Sequence, residues 1–143
     1  MAINTKNLVK TVATLTKSLS PRNKDIISRR FGLKSGKKET LESIGKSYGI
    51  TRERVRQIEE FSINQLSKNL AGESSVNGVV LAAKDFIATH KGVVKEADLF
   101  KAFTGNDKEN ISNASLHFIL TLSGEPVRFG ENDAYHTFWA LDK

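Results

Sequence analysis

Five planar, hydrogen-bonding side chains fall within six positions of this chain: Arg52, Glu53, Arg54, Arg56 and Gln57. If the run is helical, Arg52, Glu53, Arg56 and Gln57 share one face, because positions i, i+1, i+4 and i+5 fall on one side at 3.6 residues per turn. Val55 and Ile58 then point elsewhere. Two guanidiniums, one carboxylate and one carboxamide supply what is needed to read base edges in a major groove. Arginine pairs with guanine O6 and N7 or anchors on phosphate, glutamate accepts from the cytosine amino group, and glutamine engages adenine. Arg54 lies off that face, in reach of phosphate or a nearby carboxylate. Lys37, Lys38 and the first helical turn at Thr51 are candidates for contacts to a nucleic-acid backbone.

Other chemistries are poorly represented. Cysteine is absent, which removes disulfides and thiolate zinc sites. His90, His117 and His136 are scattered without ligand spacing, and there is no glycine-rich phosphate loop. Ser, His and Asp occur, but no spacing joins them. The expectation is a protein that is not an enzyme, with no cofactor, no metal and no small-molecule substrate. No apolar run is long enough to span a bilayer and no secretory signal follows Met1, so a cytoplasmic location without membrane contact is expected.

Charge divides the chain. Residues 1–72 hold 15 Lys+Arg against 6 Asp+Glu, and residues 73–143 hold 7 against 10. The basic character belongs to the first half, as expected of a nucleic-acid binder, while the acidic second half calls for a different role.

The elements that must position the arginine-rich run follow from periodicity and capping. Apolar residues at Leu8, Val9, Val12, Ala13 and Leu15 predict a helix over 5–18. Ser20-Pro21 reads as an N-cap and first helical position, opening a helix with Ile26, Ile27 and Phe31 that stops at Gly32. Thr40 caps a third helix with Leu41, Ile44 and Gly45. Tyr48-Gly49-Ile50 is a turn, and Thr51 caps the fourth helix. A short helix, a glycine turn and a longer basic helix make a helix-turn-helix signal. The expected core of this half is Leu8, Val12, Ile26, Ile27, Phe31, Leu41, Ile44, Val55, Ile58, Ile63 and Leu66. Small polar residues over 71–77 mark a linker between domains at 1–70 and 78–143. Beyond it, helices are expected over Val79–Thr89, Lys95–Phe103 and from about Ser112 to Ser123. A β-hairpin follows, from Pro126–Phe129 and Ala134–Leu141 around Gly130-Glu131-Asn132-Asp133. The fold class is mainly α: a four-helix domain, then three helices with a hairpin wing.

Ser20-Pro21-Arg22, Arg30-Phe31-Gly32-Leu33, Thr40-Leu41-Glu42-Ser43-Ile44-Gly45 and Ile50 through Glu59, in this order and spacing, closely resemble region 4 of the bacterial primary sigma factor family. The resemblance covers roughly residues 5–70. It implies two partners: double-stranded DNA at a −35-type promoter element, and the β flap of core RNA polymerase. It also implies that Arg52, Glu53, Arg56 and Gln57 face the groove. Departures matter as well. Phe61, Asn64, Gln65 and Ser67 stand where the family commonly has basic residues, which predicts weaker DNA affinity, each lost phosphate contact flattening the salt slope by about 1. Nothing here resembles the DNA-melting region 2, so a stand-alone sigma factor of the usual kind is not expected.

The second half resembles, more weakly, the HARE-type winged-helix family, which includes the N-terminal domain of the RNA polymerase delta subunit of Gram-positive bacteria. The matching features are Leu81-Ala82-Ala83, Leu99-Phe100, and Val127-Arg128-Phe129 with Phe138-Trp139-Ala140-Leu141. Its third helix lacks Lys and Arg, and Glu131 and Asp133 at the wing tip would repel phosphate. Protein contact or structural support is therefore expected there, with Phe129, Tyr135, Phe138 and Trp139 mostly in the core. The leading expectation is a transcription factor that binds −35-type DNA, the polymerase flap, or both. The alternatives are a polymerase-binding adaptor or inhibitor that does not read DNA, and a plain helix-turn-helix regulator.

Overall fold

Short polar side chains set where the helices begin. The computed structural model describes residues 3–70, 74–130 and 137–141. Asn4 accepts from the Asn7 N–H to open α1 (Thr5–Thr16), and Ser20 accepts from Asn23 to open α2 (Pro21–Phe31). Thr40 and Thr51 do the same for α3 (Leu41–Tyr48) and α4 (Arg52–Ser67), each satisfying an N–H that the helix leaves without a carbonyl. Asn110 caps α7 (Ile111–Ser123) through the Asn113 N–H at 2.8 Å, two residues before the expected start. Between them lie α5 (Ser74–Thr89), which begins inside the stretch expected as a linker, and α6 (Glu96–Thr104).

The helix-turn-helix has a small core of its own. Ile26 of α2, Ile44 of α3, and Val55 and Ile58 of α4 are buried together, with Leu41 and Ile50 packed against them. The turn between α3 and α4 depends on Gly45: a Cβ there would sit 2.7 Å from the Ile50 carbonyl oxygen, so the chain can cross over α3 only at a glycine. Gly49 then takes a left-handed φ of 70° and closes α3.

The larger core is organised by α7. Asn113 through Leu120 and Leu122 are all buried, so this helix is covered around its whole circumference. It packs against α1, α2 and α4 on one side and α5 and α6 on the other. Leu8 and Val12 of α1, Ile27 and Phe31 of α2, and Leu66 of α4 share one cluster with Leu116, Phe118, Ile119 and Leu120 of α7. The expected first-half core is thereby divided: Leu8, Val12, Ile27, Phe31 and Leu66 belong to the cluster shared with the second half, and Ile26, Ile44, Val55 and Ile58 form the separate one. The Ile3 N–H also donates to the Phe103 carbonyl at 3.0 Å, tying the start of the described chain to the end of α6.

An antiparallel sheet of order β1-β3-β2 closes the second half. β2 (Val127–Phe129) and β3 (Phe138–Ala140) form the expected hairpin, with Arg128 opposite Trp139. β1 (Val93–Lys95) adds a third strand with no counterpart in the sequence reading, placing Val94 opposite Trp139. Three residues are too few for an alternation to stand out. Trp139 is buried, while Phe129 and Phe138 stack at 4.9 Å and stay half-buried. The expected wing tip with Glu131 and Asp133, and Tyr135 and His136, lie outside the described residues.

Candidate nucleic-acid interface

The inward side of α4 is fixed before its outward side does anything. Val55, Ile58, Ser62 and Leu66 are buried, which turns Arg52, Glu53, Arg56 and Gln57 to solvent. An ion pair sets the tilt from behind: Arg30 Nε of α2 donates to Glu59 Oε1 at 2.8 Å, and Arg30 Nη1 to the Glu39 carbonyl at 3.1 Å. Arg29 grips both Glu39 oxygens at 2.9 Å and donates to Ser47 Oγ at 3.1 Å, joining α2 to α3. The hydrogen bonds from Arg29 hold the Glu39 carboxyl below the usual range. Arg29 is committed to Glu39 and Ser47, whereas Arg30 keeps further N–H groups beyond its bonds to Glu59 and the Glu39 carbonyl.

The exposed face is internally paired. Arg56 donates to Glu53 through Nε at 2.7 Å and to Glu60 through Nη1 at 2.9 Å. These contacts lower the Glu53 carboxyl and raise the Arg56 guanidinium. All three side chains are about half exposed or more, at 48%, 57% and 63%. Solvent screens such pairs, so they hold the guanidinium in place without locking it there. Arg54 Nη1 donates to Gln57 Oε1 at 3.3 Å, so Arg54 leans on the carboxamide and pairs with no carboxylate among the described residues. Thr51 serves as the helix cap, accepting from the Arg54 N–H at 3.0 Å. The first-turn N–H groups of α4 and the exposed Arg52 complete a surface with donors at its start and mixed charge along its middle.

Lys37 and Lys38 part company. Both are exposed on the loop after α2, and they differ in what they face. Lys38 lines a cleft shared with the second half, beside Arg30, Glu59, His117 and Arg128. Two interactions that matter to the face escaped the sequence reading. Glu60, four residues after Arg56, was legible from spacing alone. The Arg30–Glu59 pair spans 29 residues and carried no local signal.

The missing basic residues after Glu59 have a partial structural account. Ser67 Oγ donates to the Leu122 carbonyl of α7 at 2.8 Å, and Leu66 is fully buried, so the end of α4 is a packing surface where a long cation would be desolvated. Phe61 and Asn64 are exposed and have no such reason.

Comparison with known proteins bears on this same region. Residues 17–68 match the family model for sigma-70, region 4. Over 49 residues the chain is 49% identical to RNA polymerase sigma factor SigA of Nostoc sp., covering 34% of this chain and 13% of that protein. It is 46% identical over 50 residues to RNA polymerase principal sigma factor HrdD of Streptomyces coelicolor, covering 35% and 15%. It is 42% identical over 59 residues to the chloroplastic RNA polymerase sigma factor sigF of Arabidopsis thaliana, covering 41% and 11%. The match thus spans about a seventh or less of each relative's length. α1 precedes the matched residues, in keeping with its packing on the second half. From the approach to α2 through the end of α4, this chain carries a segment similar to region 4 of sigma-70 factors.

Proposed function

We propose that this protein is a transcription factor that sets α4 in the major groove of −35-type promoter DNA and contacts the β flap of RNA polymerase through the same helical domain. One observation carries the reading: Arg52, Glu53, Arg56 and Gln57 lie together on the solvent face of the second helix of a helix-turn-helix, within the segment similar to sigma-70 region 4. In that pose the phosphates meet the first turn of α4 and Arg52, and the base edges meet Glu53, Arg56 and Gln57. The second half, read as winged-helix-like, supports this surface and offers its remaining outer face to protein. Its third helix, α7, is enclosed by α1, α2 and α4 and has no face left for a groove.

The test is fluorescence anisotropy of a −35 duplex at low salt. The double variant Arg56→Ala, Gln57→Ala should bind about tenfold or more weakly while keeping its helix content. Unchanged affinity would remove base reading. A second reading, polymerase contact without DNA reading, is favoured by the Glu53–Arg56–Glu60 pairing and the exposed Phe61. Capture by an isolated β-flap segment with no measurable duplex binding would establish it.

A further inference from the structure

The junction between the two halves holds a cleft of about 400 Å³ lined by Arg30, Phe31, Lys38, Glu59, His117, Thr121 and Arg128. Three cations from three different elements converge here: Arg30 of α2, Lys38 of the following loop and Arg128 of β2. Two are partly neutralised. Arg30 pairs with Glu59 at 2.8 Å, and Arg128 grips Glu96 through Nε at 2.8 Å and Nη2 at 3.2 Å. Each guanidinium retains further N–H groups after these bonds. Lys38 has no carboxylate within 4.0 Å among the described residues, and it shares the cleft lining with the two guanidiniums. His117 supplies an independent sign. It is 8% exposed, its Nδ1 has no hydrogen-bond partner, and its ring is wedged between Phe31 at 5.3 Å and Trp139 at 5.9 Å. A buried polar nitrogen without a partner is uncommon and costs stability.

We infer that this cleft is a binding site for the phosphate group of a small molecule, held by Lys38, Arg30 and Arg128 with the Thr121 hydroxyl and the His117 imidazole. The chemistry fits at each position. A dianionic phosphate accepts from guanidinium forks and from an ammonium point charge, and its three terminal oxygens can also meet a hydroxyl. Burial and then the charges of Arg128, Lys38 and Arg30 keep His117 neutral, so it approaches the anion as a donor through one nitrogen only. Lys38 is exposed as a residue, but partial desolvation where it lines the cleft, and then Arg128 and Arg30, lower its ammonium against the opposing pull of Glu96 and Glu109. A bound dianion relieves that repulsion. The adjoining recess past Lys38 is lined by Glu96, Asp107, Lys108 and Glu109, and its acidic character confines the anion to the Arg30–Arg128 side. Because the donors come from both halves, the ligand would brace the two halves against each other. This site is independent of the DNA-reading proposal.

The full chain is titrated with inorganic phosphate and, separately, with ADP, each against chloride at matched ionic strength. Trp139, the single tryptophan, reports by fluorescence, and the His117 ring by NMR. The expected result is saturable binding that moves both signals, with Lys38→Gln weakening it about tenfold. Lys38→Gln should also raise the melting temperature in chloride and abolish its increase with phosphate, because the substitution removes repulsion and the ligand site together. Tighter binding of ADP identifies a nucleotide as the source, and equal binding identifies free phosphate. Signals that follow ionic strength alone, or a Lys38→Gln protein that titrates like the parent, overturn the inference.

Discussion

α4 and α7 are built from the same opening and put to opposite uses. Each is a helix of more than three turns whose N-cap accepts a hydrogen bond from the N–H three residues on: Thr51 for α4, Asn110 for α7. Each is the last helix of its half. Yet α4 keeps Arg52 through Gln57 in solvent apart from Val55, whereas α7 is buried from Asn113 to Leu120. The difference lies in composition before it lies in position. A helix that is apolar all round must be enclosed, and one with charges on most of its turns can bury only a stripe. In this molecule the enclosed helix is the one on which the exposed helix is mounted.

That contrast breaks most sharply at Phe118, which is fully buried and meets Phe31 edge-on at 5.0 Å. Phe118→Ala should cost about 3–5 kcal/mol in urea denaturation, and signals from both halves should fall in one transition. Two separated transitions would show that α4 does not depend on α7. Next in size is Gly45→Ala. With 2.7 Å to the Ile50 carbonyl there is no room for a methyl group, and a loss of about 1–3 kcal/mol is expected, accompanied by weaker DNA binding as α4 shifts.

A third change probes the buried helix through pH. His117 takes up a proton well below its ordinary value because it is buried and faces Arg128, Lys38 and Arg30. The unfolded chain protonates this residue near pH 6.5 and the folded chain does not, so stability is full above about 6.5 and falls as the pH drops below it. Urea midpoints at pH 7.5 and 5.5 should differ in the parent protein, and Phe in place of His117 should shrink that difference. The smallest effect belongs to the exposed helix. Glu60→Ala releases one of the two carboxylates on Arg56 and removes a negative charge from the proposed groove face. Duplex affinity at low salt should rise by about a few-fold, with thermal stability nearly unchanged. Unaltered affinity would mean that Arg56 does not leave Glu60 to bind DNA.

Much of α4 was legible in the sequence because its signals are local. Thr51, the spacing of Val55 and Ile58, and the arginines between them all act within two turns. The hairpin strands and the capped ends of α2 and α3 were legible for the same reason. The partner of α1 was not. Leu8 and Val12 announce an apolar face, but a helical pattern carries no information about which surface will cover it, and here that surface is more than a hundred residues away. The phosphate cleft was equally hidden. Arg30, Lys38, His117 and Arg128 belong to four unrelated stretches and converge only when α2 packs on α7.

The sequence by itself determined which helix would be polar on its outer face, where it would begin, and what kind of ligand that face suits, since capping and periodicity operate over neighbouring residues. Only the tertiary structure decided that the two halves share one core, that the last turn of α4 is a packing surface at Ser67, and that Lys38 turns toward Arg128. Those outcomes depend on which apolar faces find one another. Burying area is favourable in proportion to its extent and indifferent to order along the chain, so they could be settled only when the whole chain had folded.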